Sequence, residues 1–395
     1  MNAVPGIDPD SYRIPPALTE RIQTPALVIF MDKVDRNIKQ VIRHTGGDVT
    51  RWRAHLKTTK IPPVWERLLE AGVRQFKCAT TREAACLLTL LDHRGIQGAD
   101  LLIAYPLLGP GLERAADLAR DHGRTAVSVL CEDPAAADRI PRSLGIFVDV
   151  NPMMNRTGIE IDDRPRILEV ARSAGARFRG IHAYDGHIRD NEPSVRREQA
   201  WKIYDEILDL CGHLKANGLR VDEIITSGAL TFLDALAYHR FTELNETTHR
   251  VSPGTVVFCD TTTQTAVAHA QLEPAAVVLT RIISRPTAGI ATCDAGSKTI
   301  AAEMGDPCAI VIGHPELIAI KPSEEHLPFL IESGPGPARG DLLLLVPRHV
   351  CPTVNLAQEA ILLNDEGSVQ IVPVAAAGHE VRISAPVESG NYPAN

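Results

Sequence analysis

Residues 51–60 read Arg-Trp-Arg-Ala-His-Leu-Lys-Thr-Thr-Lys, a stretch of alternating character that leads directly to Lys57. A lysine at the end of a strand can be held in a pocket, where neighbouring cations ease the loss of its proton. A neutral amine is what Schiff-base chemistry with an aldehyde cofactor requires. The plainer account is a surface lysine closing a strand, since lysine is mostly exposed. A second constellation lies far downstream, where His349 and Cys351 stand in Pro-Arg-His-Val-Cys-Pro-Thr-Val-Asn. In an extended segment residues i and i+2 face the same side, so imidazole and thiolate can bind one divalent ion together. That donor pair favours zinc. Two protein ligands leave the other positions to water, substrate or distant carboxylates, the open arrangement of a catalytic metal. A chance His-x-Cys in a β domain is the alternative.

The scaffold for these residues is large. The chain has 395 residues, 44% hydrophobic and 23% charged, enough for a large core and more than one folding unit. A formal charge of −8 without a basic stripe argues against nucleic acid or an anionic membrane surface as partner and favours a small molecule. Eight scattered cysteines without a Cys-x-x-Cys pair fit reduced thiols in a cytoplasm. The first residues lack a basic start followed by an apolar stretch, and no apolar run reaches about 18 residues. Secretion and membrane insertion are therefore not expected.

Short apolar runs alternate with amphipathic segments, which predicts strands at 24–30, 50–56, 74–80, 100–105, 125–131, 144–151, 178–184, 222–227 and 255–260. Helices are expected at 32–45, 61–71, 81–93, 110–122, 164–174 and 193–217. Parallel neighbours need a crossover, and the helix between each pair provides it. The expected fold is α/β, a (β/α)8 TIM-type barrel followed by an antiparallel β domain. The first strand joins the β domain, giving a leader and strand over 1–30, a barrel over 31–260 and a β domain over 261–395 whose strands follow one another without helices. The tail 388–395 is expected to fray.

Reactive groups in such a barrel stand on loops at the C-terminal strand ends. The first barrel strand ends at Lys57, with His55 two residues before it. The fifth leads to Arg156, the sixth to Tyr184, Asp185 and His187, and the seventh to Ser227, Gly228 and Thr231. Small residues and close backbone N–H groups at 226–231 could cradle a phosphate, or form an ordinary strand exit and N-cap. Arg156 could pair with an anionic oxygen, or with Glu160 or Asp162 at the surface. Tyr184 and His187 could supply a ring, a phenol donor or a general base, or be satisfied core residues.

Taken together, these pieces resemble the fold-type III pyridoxal-phosphate enzymes, and within them the D-threonine aldolase and D-serine dehydratase group. The resemblance is carried, in order, by Thr24-Pro-Ala-Leu-Val28, Arg53-Ala-His55-Leu-Lys57-Thr58, Cys78-Ala-Thr-Thr-Arg-Glu83-Ala84 and Met154-Asn-Arg156-Thr-Gly158. It continues through Asp294-Ala-Gly296-Ser-Lys298, Glu324-Glu-His326 and the His349-Val-Cys351-Pro-Thr-Val-Asn355 motif. It implies an alanine-racemase-like barrel with a β domain, in a homodimer that brings residues of two chains near each site. It makes Lys57 the Schiff-base lysine, Arg156 the partner of the cofactor's phenolic oxygen, Gly228 and its neighbours the phosphate ligands, and His349 and Cys351 the ligands of a divalent ion (zinc, or manganese or magnesium). His55, Tyr184, Ser227 and Thr231 complete the expected cofactor site, and His187 and Tyr184 join Lys57 as expected catalytic residues. The implied activity is a lyase on a D-3-hydroxy amino acid, an aldolase first and a dehydratase second. A racemase, or a pyridoxal-phosphate-binding protein without turnover, comes after these, and relatives of the last kind lack the β domain. Three positions depart from the group's pattern: Thr59 stands where a histidine is frequent, Ala229 and Leu230 replace smaller or hydroxylated residues, and Asp185 adds a carboxylate.

Overall fold

The computed structural model describes residues 7–364 and 367–383, so the tail 388–395 lies outside the described residues. Strand β1 (Ala26–Phe30) is followed by the helix Met31–His44 and then by the strands β2 (Ala54–His55), β3 (Gln75–Cys78), β4 (Asp100–Ile103), β5 (Ala126–Cys131) and β6 (Gly145–Asn151). After the two-residue β7 (Ile159–Glu160), a side strand on β6, come β8 (Phe178–Ala183), β9 (Glu223–Thr226) and β10 (Thr248–Val251). These pair in parallel in the order β10-β9-β8-β6-β5-β4-β3-β2. The ends meet through a parallel bridge between Trp52 and Val251, where the Arg53 N–H also donates to Val251 O at 2.9 Å. Eight strands with helical crossovers thus close into a barrel.

The crossovers start where the sequence supplies caps. Thr80, in extended conformation, accepts from the Glu83 N–H and opens the helix Thr81–His93, which buries Leu87, Leu88 and Leu91. Likewise Asp163 caps the helix Arg164–Ala174, whose Ile167, Val170 and Ala171 face the barrel.

The eighth strand is not the expected 255–260. That apolar segment begins as a 3-10 turn, Thr255–Val257, and the strand lies earlier at Thr248–Val251. The strand lacked an apolar signature because its polar residues are satisfied by partners on other elements. His249 stacks on Phe241 at 3.7 Å between ring centroids and meets Thr226 Oγ1 at 2.8 Å, while Arg250 pairs with Glu223 at 2.7 Å.

Side chains pointing into the barrel alternate along each strand and so stack in layers. At the bottom the fully buried Arg53 guanidinium donates to Glu223 at 2.6 and 2.7 Å, to Asp100 at 2.7 Å and to Phe76 O at 3.0 Å. One step up, Leu102, Leu130, Phe147 and Ile225 form an apolar cluster. A further step reaches His55, Lys77, Asp149 and His182, all of them buried or half-buried. A salt bridge and a dry layer therefore seal the axis beneath the polar mouth.

The remaining strands are β11 (Ala276–Thr287), β12 (Ile290–Cys293), β13 (Ala309–Val311), β14 (Leu317–Ala319), β15 (Leu327–Ile331), β16 (Leu342–Pro347), β17 (Glu359–Leu363) and β18 (Val369–Pro373). Their mutual pairings are antiparallel, and β1 inserts between β11, antiparallel, and β17, parallel. One helix interrupts this series against expectation. Val350–Leu356 lies between β16 and β17, so residues 349–351 are not an extended segment: His349 is the N-cap (φ −135°, ψ 104°) and Cys351 is in the first turn. Among the described residues no helix is long and apolar enough to cross a membrane.

The Arg53 layer yields a stability prediction. Glu223→Ala leaves the buried Arg53 and the half-buried Arg250 without their shared carboxylate and is expected to cost about 3–5 kcal/mol in urea unfolding; a loss below about 1 kcal/mol would show that the layer contributes little.

Candidate active site

A cavity of about 380 Å³ opens at the C-terminal mouth of the barrel and is lined both by strand ends and by the segment carrying Arg348, His349 and Cys351. Lys57 lies in the turn after β2, half-buried, and faces this cavity. The two residues that could compete with it or supplement it are committed elsewhere. Lys60, in the left-handed region at φ 52°, is buried and donates to Glu83 at 2.6 Å and to Ala376 O at 3.3 Å. The buried Thr59 hydroxyl donates to Leu56 O at 3.3 Å and accepts from Trp65 Nε1 at 2.7 Å. Position 59 therefore packs beneath Trp65, outside the cavity lining, and Lys57 is the lysine of this segment that the cavity receives.

Cations surround it. Arg156 forms no ion pair with Glu160 or Asp162; its guanidinium lies over the Tyr184 ring, 5.0 Å from the centroid. Lys77, not singled out from the sequence, lies over the same ring at 6.0 Å. Burial, then Lys57, Arg53 and Arg156, lowers its pKa to about 7. The signal was present: in the run 74–80 a lysine sits between Phe76 and Cys78, in a strand buried on both faces. Burial and the Lys77 and Lys57 charges push His55 well down, and its Nδ1 meets Lys77 O at 3.1 Å. His182, also held down chiefly by burial, is oriented by Asp149 at 2.8 Å, and Asp149 accepts from Thr157 at 2.8 Å. Burial, then Asp185, pushes the Tyr184 phenol up, so it stays protonated at neutral pH.

On the β9–β10 side the backbone approaches closely. Ser227 has φ 63°, and its buried Oγ makes no hydrogen bond among the described residues. A Cβ on Gly228 would lie 2.9 Å from the Tyr184 ring, and one on Gly254 would lie 2.3 Å from His55 O. Gly254 and Thr255 line the cavity and were hidden from the sequence reading by the misplaced eighth strand. Ala229 and Leu230 line it too. Thr231 is engaged, donating to Asp185 Oδ1 at 2.8 Å, with the Gly228 N–H 3.4 Å away. Asp185 also accepts from Tyr204 at 2.7 Å, and burial raises its pKa; its charge is tied to the wall. His187 stands just outside the lining, with a buried Nδ1 that has no hydrogen bond among the described residues.

Opposite Lys57 stands the His349–Cys351 pair. Cys351 Sγ lies 3.1 Å from Thr58 Oγ1 and 3.4 Å from Thr255 Oγ1. Burial pushes this thiol up, but the His349 contact and the Lys57 charge outweigh it and hold the thiol below its ordinary value. Glu303 takes His349 Nδ1 at 2.5 Å, which leaves Nε2 for another ligand. Burial lowers the imidazole, but Cys351, Glu303 and Asp260 raise its pKa to about 9. Asp260 is fixed by the N–H groups of Val350 at 3.1 Å and Thr263 at 2.8 Å. Among the described residues no three His, Cys, Asp or Glu converge as a ready metal cluster. The two other downstream motifs meet each other instead: Lys298 pairs with Glu324 at 3.0 Å and Glu325 at 2.8 Å, and Gly296 packs on the Glu324 backbone.

Residues 29–261 match the model of the alanine racemase N-terminal domain, and residues 275–363 match a serine dehydratase domain model. The chain is 27% identical to a D-threonine aldolase of Arthrobacter sp, over 91% of this chain and 93% of that protein. It is 26% identical to a 3-hydroxy-D-aspartate aldolase of Paracoccus denitrificans, over 93% and 96%. The crystal structure of D-threonine aldolase from Filomicrobium marinum superposes with a TM-score of 0.79 at 25% identity, covering 93% of this chain and 99% of that one.

The close approach at Gly254 makes a prediction. Gly254→Ala must displace the His55 backbone and is expected to lose about 1–3 kcal/mol in urea unfolding. Gly289→Ala, at an open position, should stay within about 0.5 kcal/mol of the parent; equal effects would contradict the tight packing at 254.

Proposed function

Because the chain belongs to the alanine racemase N-terminal domain family, we propose that it is a lyase that uses pyridoxal phosphate and a divalent ion to cleave a D-3-hydroxy amino acid into glycine and an aldehyde. The observation that carries this reading is the placement of Lys57: among the described residues, the one amine of its segment left free of a carboxylate, at the mouth of a cavity lined by cations on one side and by glycine backbone on the other.

The residues present suit the cofactor. The cradle at Gly228 and Gly254 excludes side chains, and the unpartnered Ser227 hydroxyl is available to an anion. Phosphate contacts fall to Ser227, Gly228 and the neighbouring backbone, while Thr231 acts through its bond to Asp185. Arg156, Tyr184 and His55, which line the same cavity, would hold the cofactor's ring. Lys57 is the amine that carries the aldehyde. When bound, pyridoxal phosphate supplies an electron sink for the bond that breaks at Cα. The donor set of His349 and Cys351 suits zinc among common ions, with Glu303 orienting the imidazole, and such an ion would supply Lewis-acid chemistry at the substrate's β-oxygen.

Proton movement belongs to the chain's own groups. The Tyr184 phenol, kept protonated, is a donor rather than a base. Lys57, which lines the cavity, would be placed to take or return a proton at Cα. His187, with its unpartnered Nδ1, is the nearby imidazole assigned to the hydroxyl proton. The match of 275–363 to a serine dehydratase domain favours a second reading, dehydration to a 2-keto acid and ammonia. We further take the enzyme to be a cytoplasmic homodimer, consistent with eight free cysteines.

The test is product analysis on a panel of D-3-hydroxy amino acids, with and without chelator. Glycine plus aldehyde, lost on chelation and restored by zinc, is the expected result. A 2-keto acid with ammonia would select the dehydratase, and an inverted amino acid formed at full rate without metal would overturn the lyase assignment.

A further inference from the structure

Five lysines and arginines are buried in the described structure: Lys33, Arg53, Lys60, Lys77 and Arg196. Four have a carboxylate: Lys33 has Glu273 at 3.3 Å, Arg53 has Glu223 at 2.6 Å, Lys60 has Glu83 at 2.6 Å and Arg196 has Asp234 at 3.0 Å. Lys77 has none. It is 3% exposed and lines the cavity, and its ammonium makes no hydrogen bond or ion pair among the described residues. Its ammonium lies over the Tyr184 ring, 6.0 Å from the centroid. A buried ammonium without an anion is costly enough that it sheds its proton or acquires a partner from outside the chain.

The barrel order says which partner. Lys77 pairs in register with His55, two residues before Lys57, so it flanks Lys57 on the β3 side. Gly228 and Gly254, where a phosphate fits, flank Lys57 on the opposite side, beyond β9 and β10. In a 3-hydroxypyridine-4-aldehyde phosphate, the aldehyde carbon stands between the phosphate-bearing arm and the phenolic oxygen. A phosphate on the β9–β10 side and an aldehyde at Lys57 therefore turn the phenolic oxygen toward β3, where Lys77 and Arg156 share the Tyr184 ring.

Resting on the cofactor site proposed above, we propose that Lys77 is a positioning residue for the cofactor: its ammonium joins Arg156 in holding the phenolic oxygen in its anionic form. The groups facing Lys77 are Lys57 and His55 from β2 and its turn, Arg53 below, Asp149 and His182 across the barrel, and Arg156 with Tyr184 above. Asp149 is the single carboxylate among them and is already taken by His182 and Thr157. Binding of an anionic phenolic oxygen restores the charge that burial and the neighbouring cations work against. The ammonium in turn disfavours the extra proton on the cofactor's link to Lys57.

The experiment is a pH titration of the yellow colour of the protein reconstituted with pyridoxal phosphate. Lys77→Met and Lys77→Gln should raise the pH at which the colour is lost by about one unit or more. Lys77→Arg, which keeps the cation, should leave it near that of the parent. Two neutral variants serve in case one fails to fold, with circular dichroism as the check. An unmoved midpoint in a folded neutral variant overturns the inference while leaving the cofactor site intact. A parent protein that never becomes coloured overturns the site itself.

Discussion

The chemistry of this protein depends on a barrel whose axis is closed from below. Arg53, Glu223 and Asp100 form the lowest layer, and Leu102, Leu130, Phe147 and Ile225 form a dry one above it. Polar groups in the next layer consequently face water from one direction only. That is why burial leads the causes that lower the Lys77, His55 and His182 pKa values, and why those groups respond so strongly to each other. Alternation along parallel strands then delivers His55, Lys77 and His182 to the same mouth.

The β domain completes what the barrel begins. By placing Arg348, His349 and Cys351 over the cavity, it gives the cationic barrel mouth a second wall with a thiol and an imidazole. Contacts of Cys351 with Thr58 and Thr255 tie that wall to the first and last turns of the barrel. The sites proposed for an aldehyde cofactor and for a metal are thus two faces of one volume, which would suit a reaction that breaks a bond at Cα while stabilising charge on the β-oxygen.

Much of this was legible in the sequence, and the failures have physical causes. The helices Thr81–His93 and Arg164–Ala174 were readable to the residue because their caps and apolar spacing agree. Lys57 was found because it follows an alternating strand. The eighth strand was missed because His249 and Arg250 are satisfied by partners distant in sequence, so no apolar run marks it. Lys77 was overlooked because inward and outward faces of a parallel strand are both buried and read alike. His349 and Cys351 do adjoin, but a helix start rather than the expected extended segment brings them together. Departures from the family pattern also look different in three dimensions: Thr59 packs under Trp65, and Asp185 is bound by Tyr204 and Thr231.

The central claim is that Lys57, and neither Lys60 nor Lys77, carries the aldehyde cofactor. The most direct measurement is borohydride reduction of the reconstituted protein followed by peptide mapping of the pyridoxyl adduct by mass spectrometry. The account predicts a single adduct on Lys57, absent from Lys57→Ala; an adduct on Lys60 or Lys77 in the parent protein, or no adduct at all, would contradict it.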